Sequence, residues 1–112
     1  TIAEGINVRR VSDMTLEICR ELVDDYVTVT DDEICRAILL LLEGEKTVSE
    51  GAGAAGVAAL ISKKIKNIEG KRVGAIVSGG NIDVNAIAQV IECGLIDSGR
   101  RVKLSIDLPD KV

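Results

Sequence analysis

The sequence has no histidine, no tryptophan and no phenylalanine, and Tyr26 is its single aromatic residue. Each absence closes off a chemistry. Without imidazole there is no His-based triad, no histidine metal ligand and no side chain that ordinarily changes charge near neutral pH. Without aromatics nothing stacks nucleobases, and a formal net charge of -4 gives no basic footprint, so nucleic acid is not an expected partner. The three cysteines, Cys19, Cys35 and Cys93, are odd in number and lack Cys-x-x-Cys spacing, which argues against a disulfide framework or a zinc site. Cys19 and Cys35 fall where a helical pattern wants a small apolar residue, and they read as buried thiols of a reducing, cytoplasmic setting. The longest run of large apolar side chains covers residues 38–42, far short of the roughly 20 residues of a membrane span, and the first residues lack a signal-peptide pattern.

What is present is a globular balance, 46% hydrophobic and 29% charged over 112 residues, enough for one domain or part of one. The core must come from Ile, Leu, Val and Ala. Residues 15–25 read as an amphipathic helix, with Leu16, Cys19, Leu22 and Val23 in phase. The β-branched run at 26–29 reads as a strand. Thr30-Asp31-Asp32-Glu33 is a capping box that opens a helix running to about Glu43, with Gly44 as its terminal cap. Residues 47–49 form a short strand candidate. The Gly- and Ala-rich stretch 50–61 reads as a helix with thin side-chain cover, which lets another backbone or a flat ligand approach closely. Residues 73–77 are a continuous apolar strand of the doubly buried kind. Val84, Ile87, Ala88, Ile91 and Leu95 then recur at helical spacing up to Gly99, and 102–108 alternate as a half-buried strand before Pro109. Alternating helices and strands imply an α/β fold with a mostly parallel sheet.

Two local features could carry chemistry. Ser78-Gly79-Gly80-Asn81 joins a buried strand to a helix, where glycines permit a tight turn and a helix N-terminus offers free amides. It is neither a P-loop nor Gly-x-Gly-x-x-Gly, and by itself such a turn is usually only a turn, with Asn81 or Asp83 as a helix cap. Glu50 opens the glycine-rich helix, where a carboxylate could orient a cofactor or simply meet the helix dipole. The pairs Asp24-Asp25 and Asp31-Asp32 lack EF-hand spacing and read as solvated faces, so no metal site is expected.

Taken in order, the segments resemble one family. Thr1-Ile2-Ala3-Glu4-Gly5-Ile6, Leu22-Val23-Asp24-Asp25-Tyr26-Val27-Thr28-Val29, the run 33–42, Glu50-Gly51-Ala52-Gly53-Ala54, Ser78-Gly79-Gly80-Asn81-Ile82-Asp83 and Gly94-Leu95-Ile96 resemble the C-terminal part of threonine dehydratase catalytic domains. Those enzymes are fold-type II pyridoxal phosphate enzymes, and serine racemase is a relative. The resemblance implies that 1–99 form the C-terminal portion of a catalytic domain. It implies that 100–112 are a linker and the first strand of an ACT-like regulatory domain.

The implied activity is deamination of L-threonine to 2-oxobutanoate and ammonia by pyridoxal phosphate-dependent β-elimination. The implied cofactor-binding residues are Ser78, whose hydroxyl would pair with the pyridine nitrogen, with Gly79, Gly80, Asn81 and Glu50 around it. A neutral hydroxyl leaves that nitrogen largely unprotonated, a milder electron sink that suits elimination. The family's Ser-Phe-Lys-x-Arg-Gly motif and tetraglycine loop do not occur here, so the chain reads as a fragment with no catalytic residue of its own, inactive alone and prone to self-association or homo-oligomer formation. The alternatives are a serine dehydratase or serine racemase-like enzyme, and a stand-alone α/β binding or assembly module.

Overall fold

The computed structural model describes residues 1–108. Its helices are α1 (Asp13–Leu22), α2 (Asp31–Gly44), α3 (Gly51–Ile61) and α4 (Val84–Asp97), preceded by a 3-10 turn at Glu4–Ile6. The middle of the molecule is α2, which begins at the expected capping box. The Glu33 amide donates to Thr30 Oγ1 at 3.2 Å, and the Thr30 amide donates to Glu33 Oε2 at 2.8 Å. Two of the orphan donors of a new helix are thereby satisfied by one reciprocal pair.

One face of α2 builds the core. Ile34, Cys35, Ala37, Ile38 and Leu41 bury against Ala54 and Ala58 of α3, Val90 of α4 and Ala3. Small residues let the helices approach closely. A methyl on Gly94 would sit 2.9 Å from the Cys35 carbonyl oxygen and 3.1 Å from Leu39 Cβ, so α4 crosses α2 nearly backbone to backbone. Leu39 is buried, but Leu40 is 49% exposed, so the apolar face is narrower than its sequence suggests. The helix also runs through Gly44, and the left-handed residue that follows it is Lys46, at φ 55°. Gly99, at φ 70°, closes α4 as expected, with the Arg100 amide turned back onto the Leu95 carbonyl at 2.8 Å.

Ion pairs pin both ends of α2. Lys64 meets Glu33 at 3.1 Å, Arg36 meets Asp97 at 3.1 Å, and Arg100 makes a two-pronged contact with Glu43 at 2.8 and 2.9 Å. By contrast α1 buries no residue, Cys19 is half-buried, and only Cys35 of the three thiols is fully buried. The molecule is accordingly drawn out, 71 by 36 by 24 Å. No helix among the described residues is long and apolar enough to cross a membrane.

The strands are the correction. Among the described residues 26–29, 47–49, 73–77 and 102–108 run without regular structure, and no strand pairing forms. Pro109 and the rest of the expected ACT-like strand lie outside the described residues. The reason is geometric: a strand exists only through hydrogen bonds to a neighbour, and a parallel sheet is stable only when covered on both faces. Ile76 is 86% exposed and Leu104 80% exposed, so these segments lack the neighbours that their composition asks for.

The ion pairs set a pH dependence. The Glu33 carboxyl is held below its ordinary pKa first by the Thr30 amide and then by Lys64, and the Glu43 carboxyl is lowered by the Arg100 guanidinium. A carboxylate with a depressed folded-state pKa stabilises the fold above the unfolded value and loses that contribution as pH falls through the folded one. The melting temperature should therefore drop between about pH 5 and pH 3, and Arg100→Ala should remove part of that drop. A melting temperature flat across this window would contradict the assignment.

Candidate functional site

The turn at 78–81 and the N-terminus of α3 are 30 residues apart in sequence and touch in space. The Glu50 amide donates to the Gly79 carbonyl at 3.1 Å. Ser49, a fully buried polar residue, lies with its hydroxyl 3.0 Å from the Glu50 carbonyl and 3.3 Å from the Gly79 carbonyl. The Glu50 side chain lies flat against the turn, so that a Cβ on Gly79 would fall 2.3 Å from Glu50 Oε1. On the far side, a Cβ on Gly53 would fall 2.6 Å from the Gly79 carbonyl oxygen and 2.9 Å from Ser49 Oγ. The thin cover expected of this helix is thus occupied by another stretch of backbone. A side chain at 53 would push the two apart, whereas one at 79 would meet the Glu50 carboxylate, which can swing aside.

Beyond the turn, the Ile82 amide reaches back to the Gly80 carbonyl at 2.9 Å. Asp83 then caps α4, accepting from the Asn85 amide at 2.7 Å. The expected alternatives at this cap are therefore resolved: Asp83 is the N-cap residue.

An open cleft of about 720 Å³ lies beside this junction, lined among others by Asp31, Glu50, Asn81, Asp83, Gln89 and Cys93. Glu50 and Asn81 reach the cleft. Ser78, Gly79 and Gly80 stand outside its lining, with Ser78 exposed at the end of the apolar segment. The half-buried Glu50 carboxylate has no hydrogen-bond or ion-pair partner among the described residues. Across the cleft, Asp31 accepts from the Thr1 hydroxyl, which is the first cause of its lowered pKa. Cys35 lies beneath the surface beside Cys93, and its burial pushes the thiol up to about 12, so it is not a nucleophile at neutral pH. Sequence reasoning named the glycine turn and the glycine-rich helix separately. It missed Ser49, which it read as part of a strand, and it missed that the two glycine stretches form one contact.

A glycine turn, seated on a glycine-rich helix start beside a cleft and bearing a free serine hydroxyl, is the kind of wall that a flat cofactor can approach. Residues 1–79 match the model of the pyridoxal-phosphate dependent enzyme family, and the chain belongs to that family. It is 47% identical over 111 residues, 99% of its length, to an L-threonine ammonia-lyase of Thermotoga maritima. It is 46% identical over 110 residues, 98% of its length, to an L-threonine ammonia-lyase of Geobacter sulfurreducens. It is 43% identical over 99 residues, 88% of its length, to the catabolic L-threonine dehydratase TdcB of Escherichia coli. The chain spans 27% of the length of either ammonia-lyase and 30% of TdcB.

The junction makes a paired prediction for α3. Gly53→Ala should destabilise by about 1–3 kcal/mol, because the new methyl must displace the Gly79 carbonyl. Gly56→Ala meets nothing within 4 Å and should be neutral or stabilising by about 0.4–1 kcal/mol. Chemical denaturation of the two variants beside the parent checks this, and equal effects would contradict the junction.

Proposed function

We propose that the complete protein deaminates L-threonine to 2-oxobutanoate and ammonia by pyridoxal phosphate-dependent β-elimination, and that this chain supplies one wall of its active site. The observation that carries the reading is the 47% identity to a named L-threonine ammonia-lyase, sustained over 99% of the chain. The residues present fit the cofactor. The Ser78 hydroxyl is exposed and makes no hydrogen bond to the described residues, while the turn directly after it is fixed from three sides. When bound, the cofactor supplies the electron sink that β-elimination requires.

The chain's own residues then do the following. Ser78 would hold the pyridine nitrogen by a hydrogen bond from its hydroxyl, keeping its own proton and leaving the ring neutral there. Gly79 and Gly80 keep the approach to the ring edge clear of side chains. Asn81 fixes the exit of the turn at the cleft. Glu50 holds the turn in place through its amide and the side chain packed on Gly79. We assign the Schiff-base lysine and the phosphate loop to a part of the protein outside this chain, since none of its seven lysines, Lys46, Lys63, Lys64, Lys66, Lys71, Lys103 and Lys111, lies in the family motif.

The same reading restores the missing sheet. Residues 26–29, 47–49 and 73–77 become parallel strands once neighbouring strands are present, and the exposure of Ile76 and Val73 supports this. We assign 1–99 to the catalytic domain and 100–112 to a linker and the start of an ACT-like domain. Matches of 111 and 110 residues to the ammonia-lyases, against 99 to TdcB, are consistent with a boundary there. Exposed apolar side chains support assembly of the complete protein into an oligomer, and three free thiols suit the cytoplasm.

The test is substrate turnover by the complete, cofactor-loaded protein with L-threonine and L-serine in parallel. L-Threonine should be the better substrate, giving 2-oxobutanoate. Ser78→Ala should lower kcat about 3- to 10-fold, the worth of one neutral hydrogen bond. Ser78→Asp should shift product partition away from elimination. Turnover of L-serine alone, or racemisation in place of elimination, would contradict the proposal.

A further inference from the structure

We infer that Ser49 is a positioning residue for the cofactor-facing hydroxyl of Ser78. The inference rests on the reading of Ser78 given above and extends it to a residue that touches neither cofactor nor substrate.

Three observations carry it. Ser49 is wholly buried, although a hydroxyl loses hydrogen bonds to water on burial and is tolerated only where the protein replaces them. Its replacement partners are the Glu50 carbonyl at 3.0 Å and the Gly79 carbonyl at 3.3 Å. The Gly79 carbonyl also accepts the Glu50 amide at 3.1 Å, so the start of α3 gives it one full hydrogen bond and a share of the single Ser49 hydroxyl proton.

The consequence is directional. A carbonyl that accepts one amide and shares a hydroxyl proton restrains the plane of the peptide that joins Gly79 to Gly80 more than the amide alone would. Glycine at 79 has no side chain to hold that plane by itself, and Gly53 leaves open the space the carbonyl enters. Ser78 directly precedes Gly79, so restraining that peptide narrows the positions the turn, and Ser78 with it, can take. With only the Glu50 amide left, the peptide could rock about a single bond. The Ser78 hydroxyl would then sample positions away from the ring nitrogen. A serine that served stability alone would change folding without changing the cofactor.

The matched pair Ser49→Thr and Ser49→Val separates these roles, since the two side chains share a shape and differ in the hydroxyl. In the complete protein loaded with pyridoxal phosphate, Ser49→Thr should keep the parent's cofactor absorption and fluorescence. Ser49→Val should move both in the direction that Ser78→Ala moves them and weaken cofactor binding about 3- to 10-fold, as loss of one net hydrogen bond would. Combined with Ser78→Ala, it should add little further change.

A Val variant with the parent's spectrum and cofactor affinity, or full additivity with Ser78→Ala, overturns the inference. A Ser78→Ala protein whose spectrum is unchanged overturns instead the reading of Ser78 on which it rests. Should the Val variant fail to fold, Ser49→Ala replaces it. Hydrogen exchange on the unaltered protein adds a check free of mutation: the Glu50 amide should exchange as slowly as amides inside α3. Exchange at the rate of an exposed loop overturns the inference.

Discussion

The meeting of two backbones at the start of α3 is the constraint from which the rest follows. Gly79 is held by the Glu50 amide and the Ser49 hydroxyl, with Gly53 giving it room. Backbone contacts this close cannot be reproduced by side chains, because a Cβ at 53 would lie 2.6 Å from the Gly79 carbonyl oxygen and one at 80 would lie 2.6 Å from the Val48 carbonyl oxygen. The helix accepts a weak intrinsic propensity, since each glycine costs about 1 kcal/mol relative to alanine. It gains a seat for the turn that presents Ser78.

The other helices serve that seat. With α2 as the post, α3 and α4 are set on its two flanks through Ala54, Ala58 and Val90. Ion pairs at both ends of the post hold α4 and the segment after α3. Exposed pairs of this kind contribute little individually, so their chief effect is on orientation. The absence of aromatics fits a design in which helices approach through Gly94, Ala37 and Ala54 and leave no space for large rings. Tyr26 lies at the surface, 69% exposed, with its hydroxyl on the Cys19 carbonyl.

Helices were legible in the sequence because a helix closes its own hydrogen bonds. The capping box at Thr30 and the stop at Gly99 act within a few residues, and each is found where its pattern puts it. Helix α4 forms as its period predicts but buries Val90 and Gly94, leaving Val84 and Ala88 exposed. The strands were not, because their partners are not local, and 73–77 stay exposed for want of them. The site was half legible. Gly79, Gly80 and Glu50 could be singled out as turn and cap residues, but nothing local shows that a residue at 53 must be bare because of a carbonyl at 79. Ser49 was hidden for the same reason, a buried hydroxyl that the adjacent Glu50 carbonyl shares with a carbonyl 30 residues away. Family membership is carried by the ordered set of segments, since no single motif among them is specific.

The central claim is that the junction at α3 aims the Ser78 hydroxyl at the cofactor nitrogen. A crystal structure of the complete protein with pyridoxal phosphate bound tests this most directly. The account predicts Ser78 Oγ within hydrogen-bonding distance of the pyridine nitrogen, about 2.7–3.2 Å, with the Gly79 carbonyl still held by Ser49 and Glu50. A pyridine nitrogen paired with any other group, or a Gly79 carbonyl turned away from α3, would contradict it.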